Sequence, residues 1–322
     1  ASVYIAENRG TITNQDGKFI ISAAPDEVLH FKFIGYENLS VKASEMGAVI
    51  RLNPATQTMK EISVFPVMKL LEGITKKLNA EYRKYKKEEE AYFFRITTEI
   101  GSKKELAEAF MTARSAVNLR SISLLSGRRG LQSGDSLTSS LLDNVNFHHP
   151  LELGAMTPDV SFWNSLSTPI LKKFDKEYYN QHYNVSVSQI DSRASDPILC
   201  FNFEKKENLP PVTLLTGKLY VDAKTLKLLR FEGKIPSLGM QVTNQRVDGL
   251  TIVDLQVIAD YTHEDGYAKV SNISTTVFNE GFNCHALLYR MDTLSIATKG
   301  KKKVKENLLK TIRFERPDYI PM

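Results

Sequence analysis

Between Tyr183 and Ser188 the chain alternates apolar and polar residues: Tyr183, Val185 and Val187 on one side, Asn184, Ser186 and Ser188 on the other. A segment of that kind can bury a single face only as a β-strand. Similar segments follow to the end of the chain: Ile198–Phe203, Thr216–Asp222, Leu226–Glu232, Leu250–Tyr261, Tyr267–Phe278, Leu287–Thr293 and Thr311–Phe314. His263-Glu264-Asp265-Gly266, between two of them, has the composition of a hairpin turn. Many successive antiparallel strands joined by tight turns make a large curved sheet, and one face of such a sheet must be covered.

The cover is predicted upstream. Met68, Leu71, Ile74 or Thr75, Leu78, Tyr82 and Tyr85 recur every three or four residues within 67–87, with Lys and Glu between them. That is an amphipathic helix, and Pro66 stands where proline is tolerated at a helix start. Strands are expected again at Ala91–Ile96, Leu106–Met111 and Ser121–Leu125, although helix competes around Glu105–Arg114, where Ala, Glu and Leu are frequent. Residues 131–182 are irregular, with short helical pieces predicted at Phe162–Leu166 and Pro169–Phe174.

Residues 1–66 read as all-β. Strands are predicted at Val3–Ile5, Lys18–Ile21, Val28–Phe33, Leu39–Val41 and Ala48–Leu52. Asn14-Gln15-Asp16-Gly17, Pro25-Asp26-Glu27, Gly35 and Pro54 punctuate them. A chain of 322 residues suits two domains. The division expected is 1–64 for a β-sandwich and 65–322 for the strand-rich unit, with an irregular insert at about 131–182.

Composition removes several classes. No stretch reaches the roughly 18 uninterrupted apolar residues of a spanning helix. Net charge is +5, part of it in Lys299-Gly300-Lys301-Lys302-Lys303-Val304-Lys305, which reads as a solvated turn flanked by strands, with attraction to anionic lipid headgroups as the alternative. No nucleic-acid-binding motif accompanies it, so no nucleic-acid partner is expected. Cys200 and Cys284, each among apolar neighbours, are expected to be buried, and could meet only if their strands pair. No signal peptide opens the chain at Ala1.

Two segments resemble known families. Ala1-Ser2-Val3-Tyr4-Ile5, Gly10-Thr11-Ile12-Thr13-Asn14-Gln15-Asp16-Gly17-Lys18-Phe19 and Leu29–Tyr36 resemble the carboxypeptidase regulatory-like domain of Bacteroidetes outer-membrane proteins. The resemblance covers residues 1–64 and implies a transthyretin-like sandwich. That family begins one strand before the point where Ala1 stands, so it implies either a strand outside this chain or an open edge. Gly217-Lys218-Leu219-Tyr220-Val221-Asp222, with Thr225-Leu226 and Leu229-Arg230, is similar to a hairpin of proteins that carry this front domain and of LolA-type lipoprotein carriers. It implies a mainly β second unit, a half-open antiparallel barrel with a few covering helices, which in carriers encloses acyl chains.

Chemistry-bearing constellations are scarce. The zinc arrangement of the carboxypeptidases is absent. His148-His149 is the nearest approach to a metal cluster; adjacent strand residues point to opposite faces, so the two could share a metal only in a loop. No Gly-x-Ser-x-Gly elbow and no phosphate-cradling glycine loop occur. Phe147, Phe162, Trp163, Tyr178, Tyr179 and Tyr183 either line a groove or form core beneath the irregular insert. The candidate binding region is therefore Phe147, His148, His149, Phe162 and Trp163, with no catalytic, metal or cofactor residue and no cofactor expected.

The resulting expectation is a non-enzymatic envelope protein, exported to the periplasm or the outer membrane. It would bind or scaffold a lipid, a lipoprotein or an outer-membrane protein. Two rivals stand beside it: a hydrolase assembled from distant residues such as Asp135, His148 and His149, and an accessory subunit of an outer-membrane complex.

Overall fold

The computed structural model describes residues 1–6, 9–13, 17–33, 36–53, 60–61, 66–84, 89–101, 103–115, 119–132, 176–190, 197–207, 209, 215–244, 247–263, 266–291 and 302–303. The protein is mainly β, built from one small and one large antiparallel sheet.

The small sheet has four strands, β1 (Ser2–Ala6), β2 (Arg9–Ile12), β3 (Val28–Lys32) and β4 (Leu39–Lys42), in the order β2-β1-β3-β4. Val3, Leu29 and Phe31 are its fully buried residues. Phe19, Ile21, Ile50 and Leu52 pack against them, while Ile20 and Val49 point into solvent, 85% and 74% exposed. Lys18–Ile21 and Ala48–Leu52, predicted as strands, thus keep the period-two facing of strands but form no ladder. Alternation dictates which way side chains face; a ladder also needs a neighbouring backbone at about 4.8 Å.

The large sheet orders twelve strands as β16-β8-β7-β6-β15-β14-β13-β12-β11-β10-β9-β5. They are β5 (Lys60–Glu61), β6 (Glu89–Ile100), β7 (Lys103–Ser115), β8 (Leu119–Gln132), β9 (Tyr183–Ile190), β10 (Ile198–Lys205), β11 (Thr216–Asp222), β12 (Leu228–Asn244), β13 (Val247–Thr262), β14 (Lys269–Asn279), β15 (Phe282–Met291) and β16 (Lys302–Lys303). The path has two arms. β6, β7 and β8 step outward to one edge. β9 begins near the other edge, and β9 to β15 step back until β15 pairs with β6, Leu288 opposite Phe94.

Three local expectations change. Glu105–Arg114, where helix competed, is strand, because β7 pairs along both edges with β6 and β8, and a ladder outweighs the weak helix preference of Ala and Glu. The basic run is not simply a turn: Lys302 and Lys303 pair with Leu124 and Ser123 at an edge, where lysine is well placed. Lys60 and Glu61 pair with β9 and so belong to the large sheet. The helical pieces predicted at 162–174 and the strand at 311–314 lie outside the described residues.

One face of the large sheet is covered. Helix α1 (Val67–Lys84) puts Leu71, Ile74 and Leu78 into a core that includes Phe94, Ile96, Phe201, Leu219, Phe231, Val257 and Leu288. Each large apolar side chain buried this way contributes roughly 1.5–3 kcal/mol. Helix α2 (Lys176–His182) adds Tyr179, which packs with Tyr183 and Phe203. The Pro66 carbonyl accepts from the amides of Lys69 and Leu70, opening α1 where the sequence indicated. Two turns tie α1 to the sheet. Lys77 donates to the Thr225 carbonyl of the β11–β12 turn, and Glu81 accepts from the Ala268 amide at 3.2 Å.

The turn before β14 also forms. Gly266, at φ +78°, donates to the His263 carbonyl, a backbone conformation glycine adopts without Cβ strain. His263 lies partly buried at this turn. Burial, then the Lys227 and Lys77 charges, lowers its pKa to about 4, with Asp222 opposing. The unfolded chain therefore binds a proton that the folded chain resists, between the ordinary value of 6.5 and about 4. Stability from this group is full above that window and is lost as pH falls through it. In thermal unfolding, His263→Gln is expected to flatten the decline in Tm between pH 6.5 and 4. An unchanged slope would place the ring in solvent.

Candidate functional site

The face opposite α1 carries the other set of alternating side chains. On β11 to β13 the register sets Tyr220 beside Arg230, Arg230 beside Asp260, and Glu232 between Lys218 and Ile258. These side chains point away from the core for the same reason that Leu219, Phe231 and Ala259 point into it.

Arg230 is the centre of the group. Its Nε donates to Glu232 Oε1 at 2.8 Å and its Nη1 to Asp260 Oδ1 at 3.1 Å. Phe33, from the small sheet, lies with its ring centroid 5.1 Å from the guanidinium carbon. Tyr220 donates to the second oxygen of Glu232 at 3.3 Å. The Arg230 side chain is 5% exposed. Two carboxylates in the guanidinium plane and a ring above it hold the group rigidly.

The cluster floors a cavity of about 720 Å³ between the small sheet and this face. Thr13 and Phe33 line one side of it, and Lys205, Lys218 and Lys234 stand on the other. Asp260 Oδ2 is buried and has no hydrogen-bond partner among the described residues. Burial pushes the Asp260 carboxyl up, against the pull of Arg230. A cavity with an unanswered acceptor at its floor and ammonium groups around it suits a small molecule carrying both a cationic and an anionic group.

A serine–histidine contact borders the same cavity. Ser274 Oγ is 3.2 Å from His285 Nε2, across β14 and β15. Burial alone lowers the His285 pKa; no charged group contributes. Among the described residues no carboxylate hydrogen-bonds the His285 ring, so the pair stands there without the third member of a nucleophilic triad. The cysteines are separate: Cys200 is on β10, Cys284 on β15, and both are buried and free. Burial raises the Cys284 thiol to about 12, which leaves it without thiolate reactivity. Among the described residues no three His, Cys, Asp or Glu side chains could hold a metal, and no helix is long and apolar enough to cross a membrane.

The candidate residues Phe147, His148, His149, Phe162 and Trp163, and the rival Asp135, lie outside the described residues. Tyr178, Tyr179 and Tyr183 are described, and Tyr179 and Tyr183 are core. The Arg230 cluster carries little sequence signal and was not among the expected sites. Arg230 and Glu232 stand two apart on a strand, which places them on one face. Asp260 and Phe33 join only through the register and the docking of the small sheet.

No family model matches the chain, and no curated protein matches it. Among solved structures, the crystal structure of a LolA superfamily protein from Nitrosomonas europaea is similar at a TM-score of 0.28 and 10% identity, covering 70% of this chain and 94% of that one. Nothing about function transfers at that level of likeness.

Proposed function

We propose that this chain is a non-enzymatic binding protein of the cell envelope, and that its ligand sits in the cavity between the small sheet and the open face of the large one. The observation that carries this reading is Asp260 Oδ2 at the cavity floor, buried without a hydrogen-bond partner among the described residues. The ligand class is a small zwitterion, its cationic end at Asp260 and its anionic end toward Lys218 and Lys234. The envelope placement rests on the resemblance of residues 1–64 and of the Gly217–Arg230 hairpin. An acyl chain beneath the helices would have to displace packed rings: Tyr179, Tyr183, Phe203 and Phe231 are all fully buried there.

Native mass spectrometry on protein purified gently from an envelope fraction tests the proposal. The expected result is a retained small polar mass that Asp260→Asn reduces several-fold. Equal retention by the variant would remove the cavity as the site. A dissociating lipid mass would move the site under the helices. A bare polypeptide would shift the role to scaffolding.

A further inference from the structure

Two carboxylates flank Arg230, and the protein answers all but one of their oxygens. Glu232 Oε1 accepts from Arg230 Nε, Glu232 Oε2 from the Tyr220 hydroxyl, and Asp260 Oδ1 from Arg230 Nη1. The remaining oxygen, Asp260 Oδ2, has a neighbour in the same condition. Thr262 Oγ1 is also buried and has no hydrogen-bond partner among the described residues. Asp260 and Thr262 stand two apart on β13, and Ala259 and Tyr261, which alternate with them, belong to the core. Both therefore face the other side of the sheet, where the cavity lies.

Residues two apart on a strand are separated by about 6.8 Å along it. One tetrahedral nitrogen between two such side chains can reach both oxygens at hydrogen-bond distance. An ionised carboxylate oxygen only accepts, and a threonine hydroxyl has lone pairs that accept as well. Both ask for N–H donors, and a primary ammonium brings three. A trimethylammonium carries the same charge and no N–H, so it would leave both oxygens buried and unanswered. The other end of the ligand is set by the register. Lys218 is opposite Glu232, and Glu232 is opposite Ile258, so Lys218 lies two strands and two residues from Asp260. Their α-carbons are then about 12 Å apart. The Lys218 side chain spans part of that distance, and the two charges of the ligand stand several bonds apart.

Resting on the reading of the cavity as a site for a small zwitterion, we infer that the cationic end of that ligand is a primary ammonium held between Asp260 Oδ2 and Thr262 Oγ1, and that the site rejects quaternary ammonium zwitterions. The two residues divide the work. Asp260 supplies a charge that attracts either kind of cation. Thr262 supplies no charge, so its hydroxyl tells the two apart only by the hydrogen bond it accepts. A buried acceptor left without a donor keeps its full desolvation cost, which makes the discrimination large for a small change in the ligand.

Isothermal titration calorimetry on the full chain tests this with matched pairs: phosphoethanolamine against phosphocholine, and ε-aminocaproate against its N-trimethyl counterpart. The N–H member of each pair is expected to bind at least about tenfold more tightly than its methylated twin. Thr262→Val, which keeps the shape of the side chain and removes its hydroxyl, should erase most of that preference while Tm stays near that of the parent protein. Asp260→Asn should weaken both members of each pair. Equal binding of the twins, with both weakened by Asp260→Asn, would overturn the ammonium assignment and leave the cavity reading standing; a water molecule would then bridge the two oxygens. An undiminished preference in Thr262→Val would overturn the bridge by placing Thr262 outside the site. If no member of either pair binds, the zwitterion reading fails and the inference fails with it.

Discussion

Gly217→Ala is expected to destabilise the protein by about 3–5 kcal/mol, in the range reserved for direct structural clashes. Gly217 faces Gly233 in the β11–β12 ladder and Phe203 in the β10–β11 ladder. A Cβ there would stand 1.9 Å from the Glu232 carbonyl oxygen and 2.8 Å from the Gly233 Cα. Both neighbours are backbone, so no side-chain rotation relieves the contact. Relief would require β11 to part from β12, and those strands carry the Arg230 cluster on their other face. A domain's whole stability is about 5–15 kcal/mol, so a loss of this size is a large part of it. Gly47→Ala is the matched control, since its Cβ would approach nothing closer than 3.8 Å. Urea denaturation followed by circular dichroism should show a much lower midpoint for Gly217→Ala and a shift within about 0.5 kcal/mol for Gly47→Ala. Coincident midpoints would mean that β11 and β12 do not approach as closely as the structure shows.

The same hairpin shows what sequence can disclose. Leu219 and Val221 on one side, Lys218 and Tyr220 on the other, mark β11 as half-buried by alternation alone, and α1 is equally plain in Leu71, Ile74 and Leu78. What alternation lacks is the partner. Leu106–Met111 is ambiguous alone and becomes strand through its ladders with β6 and β8. Lys18–Ile21 fails in the other direction, since alternation without a paired neighbour leaves only an extended segment. The site was less legible than the fold. Asp260 reaches Arg230 from thirty residues away, and Phe33 reaches it from a different sheet, so neither is marked by any local pattern. Histidines and the lone tryptophan stand out in a sequence because their chemistry is specific. The groups that the fold brings together are arginines and carboxylates, too common in any strand-rich chain to stand out.

Adjacent residues on β8 should give opposite answers to the same kind of substitution. Arg128 faces outward, half exposed, and shares Glu108 with Arg95. Arg129 faces the core, where its side chain is 3% exposed and that of its partner Glu105 is fully buried. Glu105 lies in a row with Thr98 and Cys284 across β7, β6 and β15, all of them buried. Removing Arg129 leaves a carboxylate in that row without its guanidinium, and breaking such a buried pair costs about 3–5 kcal/mol. Arg129→Met is therefore expected to lower the urea midpoint strongly, and Arg128→Gln to cost much less, because Arg95 still holds Glu108. The double variant Glu105→Leu with Arg129→Met should recover most of the loss, because two apolar side chains in place of the pair leave no charge to desolvate. If the double variant were as unstable as Arg129→Met alone, the loss would come from packing of the arginine stem and not from the stranded charge. If Arg128→Gln were the more damaging single change, β8 would be out of register by one residue and its two faces exchanged.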